Sequence, residues 1–243
     1  MRRWIFWTVL FGFLVALVAA PTPTQTRTRV ADGFDFPVGK PDAEGYYMSR
    51  GFLRYHPGED WNGLGGGNTD IGAPVYSIGS GYVTFARDAR MGWGNVVLVR
   101  HIFMDNGKLA TVDSMYAHLD RIMVREGQQV ARGQQVGTIG TNRGMYTAHL
   151  HFEVRKNLAI GINRSAFPRD FVNYYRPSAF ITPRRKLPGG GRSALIPLNT
   201  YSLPQRLSQP LEDVDLSAKT NKKGNATPSP TPRSFRVNRF GDF

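Results

Sequence analysis

The chain has 243 residues, of which 41% are hydrophobic and 12% aromatic, so it can bury one core of ordinary size. Its 27 glycines and 16 prolines favour turns and short strands over long helices, which predicts a mainly β domain. The net charge of +13 attracts anionic polymers such as nucleic acid, phospholipid or bacterial wall material. Cysteine is absent, which excludes disulfides, a thiolate zinc site and a cysteine nucleophile.

The first 20 residues have the pattern of an export segment. Arg2 and Arg3 precede an uncharged apolar run that ends at Ala20. Because Pro21 restricts the backbone next to the candidate cleavage point, an uncleaved N-terminal membrane anchor is the alternative to a signal peptide. In either case we expect an exported protein that works in the periplasm or the cell envelope.

Composition divides the rest of the chain into three parts. Residues 21–33 begin with a Thr/Pro-rich stretch and are predicted to be a linker, and residues 34–182 are globular in composition. Residues 183–243 are basic and rich in Pro and Gly, which predicts a disordered tail. The tail could bind an anionic wall or membrane surface, or it could be a solubilising tail without a specific partner.

Within the globular part, several β-branched runs predict successive antiparallel strands. They are residues 75–78, 82–86, 95–101 and 111–119. Asp105-Asn106-Gly107 predicts a hairpin turn between the last two of these runs. Pro168 and Pro177 limit residues 165–181 to a short helix.

A further strand is predicted at residues 148–154, where apolar and polar side chains alternate. Alternate residues of a strand point to opposite faces, so one face would hold Leu150, Phe152 and Val154, and the other His149, His151 and Glu153. Two imidazoles on one face fit a metal site, but they fit a solvated strand face equally well. Glu153 could likewise orient a ligand ring or simply face solvent.

Partners for these histidines are suggested by the pattern His-x-x-x-Asp, which occurs twice, at His56–Asp60 and at His101–Asp105. The spacing alone does not separate the two. Asp105 already has a role in turn formation, whereas a Pro-Gly bend between His56 and Asp60 could bring their side chains together. We therefore favour His56 and Asp60 as ligands.

Three short motifs carry a resemblance to a known family. They are His56-x-Gly58-x-Asp60, Tyr116-Ala117-His118-Leu119 and His149-Leu150-His151-Phe152-Glu153. Together they resemble the signature motifs of the lysostaphin-type (LytM-type) zinc endopeptidases, which cut peptide cross-links in bacterial peptidoglycan. The resemblance runs from about Asp35 to Ile181. It implies a single antiparallel β-sandwich or half-barrel domain of the LytM-like duplicated hybrid type.

The resemblance also implies a site with one zinc ion. Carried over by motif, His56, Asp60 and His151 would bind the zinc, and His118 and His149 would be catalytic. The loop at residues 63–69 departs from the family pattern and makes Asp70 a rival ligand.

Roles for the site residues follow from ordinary hydrolytic chemistry. Two imidazoles and one carboxylate leave a fourth coordination position for water. His149 could then accept the proton of the water, and His118 could stabilise the oxyanion, although the two roles could be exchanged. Asn95, Tyr116 and Asn142 are predicted to bind substrate in the groove.

The sequence thus predicts a zinc metalloendopeptidase whose partner is peptidoglycan. The alternative is a non-catalytic LytM-like domain that binds peptidoglycan or activates another wall hydrolase. A nucleic-acid partner is not expected, because the chain carries an export segment and its positive charge is concentrated in the tail.

Overall fold

The computed structural model describes residues 24–202. The predicted export segment and the tail beyond residue 202 lie outside the described residues. Among the residues that are described, no helix is long and apolar enough to cross a membrane. The strands and the one α-helix of this part are β1 (Gln25–Ala31), β2 (Tyr46–Arg50), β3 (Glu59–Gly63), β4 (Pro74–Tyr76), β5 (Gly81–Asp88), β6 (Asn95–Asp105), β7 (Lys108–Ile122), β8 (Gln129–Val130), β9 (Gln135–Ile139), β10 (Leu150–Arg155), β11 (Tyr174–Tyr175), β12 (Ser193–Pro197) and α1 (Pro177–Ile181).

The strands form one open mixed sheet, which confirms the predicted mainly β fold. Its main path runs in the order β12-β1-β6-β7-β10-β3-β2, with β5, β8, β4, β9 and β11 paired at its sides. All pairs are antiparallel except β1 with β6, which are parallel. A parallel pair needs a long connection, and here β2 to β5 lie between the two partners in the chain.

The predicted hairpin is present between the two longest strands. Asp105 of β6 pairs with Lys108 of β7, and the two residues between them, Asn106 and Gly107, have φ values of 48° and 80°. A two-residue turn with positive φ at both positions matches the right-handed twist of the strands that it joins. The turn therefore fixes the register of β6 against β7.

Two strands lie in segments for which the sequence predicted no regular structure. β1 falls in the predicted linker and β12 in the predicted tail, and they pair from Gln25 with Pro197 to Arg29 with Ser193. In β1 the alternation of buried and exposed residues does not appear as an alternation of hydrophobic and polar residues. Thr28 fills a buried position between the exposed Arg27 and Arg29. A strand near the edge of a sheet needs only one buried face, so composition alone did not reveal it.

Side chains cover both faces of the central strands β6, β7 and β10. The larger hydrophobic cluster includes Tyr116, Leu150 and Phe152, and the smaller cluster on the other side includes Leu98 and Met115. The second face is thus partly covered rather than fully solvated. The part of that face left open by the smaller cluster holds the site.

Candidate metal centre

Two neighbouring strands and one loop bring three potential metal ligands together. Asp60 of β3 lies directly opposite His151 of β10 in the antiparallel register, so their side chains share a face. His56 precedes β3 in a loop that is closed by a bridge to Leu53. The Oδ1 atom of Asp60 lies 2.9 Å from Nε2 of His56 and 2.8 Å from Nδ1 of His151, and the two ring nitrogens are 3.0 Å apart.

The outer nitrogen of each ligand ring is already occupied as a hydrogen-bond donor. Nδ1 of His56 donates to the carbonyl of Gly51 at 2.9 Å, and Nε2 of His151 donates to Oε1 of Glu153 at 2.9 Å. In neutral rings the two inner nitrogens therefore carry lone pairs. These lone pairs face the carboxylate of Asp60, which is also an acceptor, so a cation between them would be stabilised. His56, Asp60 and His151 can hold a metal ion, and the set of donors suits zinc.

The acid–base properties of the pair at the centre agree with this reading. Burial opposes the charge of Asp60, but hydrogen bonds with His151 and His56 outweigh it and hold the Asp60 pKa well below its usual value. Burial also opposes the charge of His151, yet hydrogen bonds with Asp60 and Glu153 raise its pKa. Both shifts show that this pocket favours a positive charge next to the carboxylate.

Glu153 lies behind His151 and is fully buried rather than facing solvent. Its Oε2 atom accepts a hydrogen bond of 2.6 Å from Nε of Arg155. Burial opposes the charge of Glu153, but Arg155 and His151 outweigh it and lower the Glu153 pKa to about 2. A charged carboxylate at this place fixes the His151 ring with Nδ1 toward the centre.

His149 and His118 stand beside the three ligands. Nδ1 of His149 donates to the carbonyl of Thr147 at 2.8 Å, and its Nε2 lies 3.8 Å from Oδ1 of Asp60. Nδ1 of His118 donates to the carbonyl of Trp93 at 3.2 Å, and the rings of His118 and His149 are 4.9 Å apart. The remaining nitrogen of each ring is thus left as a proton acceptor next to the metal ligands.

A break in the strand register turns His118 toward the site. Asn95 of β6 pairs with Leu119 of β7, but Val97 pairs with Tyr116, so β7 contains one extra residue between these pairs. His118 has a φ of 60° at this bulge. Strict alternation along β7 would place His118 on the same face as Tyr116. Because of the bulge, Tyr116 enters the core, whereas His118 reaches the site.

The three predicted substrate-binding residues do not line the cleft. Tyr116 is fully buried, and its hydroxyl oxygen accepts a hydrogen bond of 2.9 Å from the N–H of Ile78. The amide of Asn95 donates to the carbonyl of Asp120 at 3.0 Å. Asn142 is buried against Gly94, and a Cβ atom added to Gly94 would come within 2.4 Å of Oδ1 of Asn142. Each of these side chains thus contacts other parts of the protein, and their role in substrate binding stays a prediction.

The cleft above the ligands has a volume of about 320 Å³. Besides the five histidine and aspartate residues, it is lined by side chains that the sequence did not single out, namely Arg50, Tyr55, Trp93, Tyr146 and Arg164. The ring of Trp93 stacks against His118 with centroids 6.3 Å apart, and the ring of Tyr146 lies 4.7 Å from His118. The Gly-Trp-Gly sequence at residues 92–94 is a local signal for an aromatic residue on a tight loop.

The two rival ligand candidates lie elsewhere. Oδ2 of Asp70 accepts a hydrogen bond of 2.9 Å from the N–H of Gly63 and takes no part in the cluster. His101 is buried in the core, where burial lowers its pKa to about 4, and Asp105 pairs with Arg184 at 3.1 Å. The structure thus separates the two His-x-x-x-Asp pairs that spacing left open.

The fold and this cluster define a mainly β protein with a candidate metal centre at the edge of its core. The sequence model of peptidase family M23 matches residues 54–162, which contain all five histidine and aspartate residues of the site. The chain belongs to peptidase family M23.

Relatives of two kinds are similar to this chain. One is the peptidoglycan DD-endopeptidase ShyB of Vibrio cholerae, 40% identical over 86 residues, which are 35% of this chain and 18% of that protein. Another is the lipoprotein NlpD of Yersinia enterocolitica, 34% identical over 84 residues, which are 35% of this chain and 78% of that protein. The murein hydrolase activator NlpD of Escherichia coli is 35% identical over 96 residues, 37% of this chain and 23% of that protein.

Among solved structures, the antimicrobial peptidase lysostaphin from Staphylococcus simulans is similar, with a TM-score of 0.43 and 23% identity over 67% of this chain and 57% of that one. The chain spans about a fifth of the length of ShyB.

Proposed function

We propose that this chain is a zinc-dependent metalloendopeptidase that hydrolyses peptide cross-links of bacterial peptidoglycan. One observation carries the proposal: the acceptor atoms of His56, Asp60 and His151 converge within 4.8 Å of one another, with the two ring nitrogens oriented by Gly51 and Glu153. A metal site requires that arrangement.

In this proposal the three residues would hold one zinc ion, which would supply the Lewis acidity to polarise the scissile carbonyl and to activate a water molecule. The proton-transfer groups are His149 and His118, each with Nε2 free to accept a proton. Burial, together with the neighbouring His151 and His149, lowers the pKa of His118 to about 3, so this ring is neutral at pH 7. His118 is therefore a proton acceptor first and a donor only after it has gained a proton.

The proposed substrate follows from the relatives and from the cleft. ShyB is named for DD-endopeptidase activity on peptidoglycan, and the cleft of about 320 Å³ lies directly beside the three potential ligands. Peptidoglycan lies outside the cytoplasmic membrane, and one relative is named a lipoprotein. We accordingly place the activity in the cell envelope, with peptidoglycan as the partner.

The proposal is tested with isolated peptidoglycan, the purified chain and one equivalent of zinc. Chromatography of the products should show cross-linked dimers converted to monomers, with one new amine for each link lost. The His149→Ala variant serves as the control. The absence of new amines under every metal condition would overturn the proposal.

A second function is favoured by the relatives that are named murein hydrolase activators. In that case the chain would bind another wall hydrolase and stimulate it without cutting peptide bonds itself. One assay distinguishes the two functions. If the chain is an activator, the wild type and the His149→Ala variant should stimulate a partner hydrolase equally well. A peptidase would lose its effect on peptidoglycan in that variant.

A further inference from the structure

The cleft carries positive charge that no carboxylate in its wall balances. Among the described residues that line it, Asp60 is the only carboxylate, and it faces the two ligand histidines. Arg50 and Arg164 line the same cleft. Within residues 24–202 neither guanidinium group makes an ion pair or a hydrogen bond with another side chain. Such a cleft attracts an anionic ligand.

Arg164 is held in a defined position although its donors are unused. Its guanidinium carbon lies 4.4 Å from the centroid of the Trp93 ring, and the same ring also lies beside the rings of His118 and His151. Stacking on an aromatic face restrains the planar group while leaving its N–H edge open. Burial lowers the pKa of Arg164, because desolvation disfavours the charge. A bound anion would offset that cost.

We propose that Arg164 binds a carboxylate of the substrate close to the scissile amide, so that the cleft selects peptides with free carboxylates over peptides whose carboxylates are amidated. This inference rests on the proposed peptidase function, since it names the class of peptide that the same cleft takes. Arg164 is a specificity-determining residue in this account, distinct from the histidines that transfer protons.

The distances limit where the carboxylate can be. The Trp93 ring lies 5.2 Å from the ring of His151 and 4.4 Å from the Arg164 guanidinium carbon. These contacts keep the guanidinium within about 10 Å of the metal ligand, or about three residues of an extended peptide. A carboxylate that contacts Arg164 therefore lies close to the potential metal ligands.

The chemistry explains why amidation matters. A guanidinium donates two parallel hydrogen bonds to a carboxylate, and these are stronger because both groups are charged. A carboxamide offers only one acceptor oxygen and turns an N–H₂ donor toward the other guanidinium donor. Arg50, whose backbone lies opposite that of Asp60 in the register of β2 and β3, adds a second positive charge beside the centre.

The test uses the full chain carrying His149→Ala, loaded with one equivalent of zinc so that the ligand is not consumed. Calorimetry measures the Kd of a purified cross-linked peptide dimer with free carboxylates and of the same dimer with its carboxylates amidated. We expect the free form to bind about tenfold tighter at low salt, in line with a charge-assisted hydrogen bond. Adding Arg164→Gln should reduce that ratio to near one.

Two further variants complete the design. Arg121→Gln removes a side chain that is 78% exposed and lies outside the cleft, and it should keep the tenfold ratio. Arg164→Lys keeps the charge without the planar pair of donors and should give an intermediate ratio. Melting temperatures confirm that each variant is folded.

Equal Kd values for the two dimers in the parent protein, or no binding of either, would overturn the inference. An unchanged ratio in folded Arg164→Gln would do so as well. Hydrolysis by the wild-type chain is followed separately. If the preference for carboxylates is found but neither dimer is cut, the proposed peptidase function fails while the carboxylate site stands.

Discussion

Nε2 of His151 lies 2.9 Å from Oε1 of Glu153, and both side chains are buried on the same face of β10. The contact determines which nitrogen of His151 faces Asp60, so a residue that touches no substrate sets the geometry of the centre. Because Glu153 is also bonded to Arg155, the orientation of the ligand ring is tied to a buried ion pair.

We predict that Glu153→Gln weakens zinc binding by about 10- to 100-fold, because the His151 ring loses a charged partner that holds its tautomer. The variant should also lose stability on the order of 3 kcal/mol, since Arg155 is left without a buried counter-charge. The matched control is Asp113→Asn. It breaks another buried ion pair, Arg100–Asp113, whose atoms are 2.7 Å apart and which does not contact the ligands. Competition with a fluorescent chelator should show weaker zinc binding only in Glu153→Gln, and an unchanged affinity there would refute the orienting role.

The bulge at His118 predicts an unusual order of stabilities. His118 has a φ of 60°, which favours glycine, so His118→Gly should be more stable than His118→Ala by about 1 kcal/mol. Ala117→Gly, at a neighbouring extended position, should instead lose about 1 kcal/mol. Urea denaturation of the metal-free variants gives the comparison. If His118→Ala proved as stable as His118→Gly, the left-handed backbone would not be present in solution.

Buried His101 predicts a loss of stability in acid. Burial lowers its pKa to about 4 in the folded state, against about 6.5 when unfolded. The unfolded chain therefore binds a proton first, and the contribution of His101, complete above pH 6.5, is lost as the pH falls toward 4. From pH 7 to pH 5 the wild type should lose about 2 kcal/mol more than His101→Gln does. An NMR titration of the His101 ring in the folded wild type with a midpoint near 6.5 would contradict this.

Substitutions of Tyr116 in the core and of Tyr146 in the cleft should have different effects. Tyr116→Phe leaves the buried N–H of Ile78 without its acceptor, which should cost about 1–3 kcal/mol while KM stays the same. Tyr146→Phe should change turnover with little effect on stability, because Tyr146 lines the cleft and its ring lies 4.7 Å from His118. Steady-state kinetics and thermal melts distinguish them. A raised KM in Tyr116→Phe at full stability would restore the predicted substrate role.

The strand predicted at residues 148–154 shows what the sequence could predict. Strict alternation placed His149, His151 and Glu153 on one face, and the structure has them there. The pairing of Asp60 with His151 could be expected only from the family motifs, because it depends on which strands become neighbours. Local pattern thus determined the face, and the sheet determined the partners.

Other features lay beyond sequence reasoning for physical reasons. A bulge depends on the register between two strands, so alternation alone put His118 and Tyr116 on the same face. Trp93 and Arg164 lie 71 positions apart in the chain and meet only through the fold, so neither was expected in the cleft. The partly polar strand β1 was missed because its buried positions include threonine.

The zinc content of matched variants, measured together with their turnover of cross-linked peptide, tests whether His151 binds the metal and His149 transfers the proton. The wild type should bind one zinc per chain. His151→Ala should lose both metal and activity, because one of the three converging ligands is gone. His149→Ala should keep its zinc and lose turnover. Equal loss of zinc from the two folded variants, or full activity of a zinc-free wild type, would contradict the account.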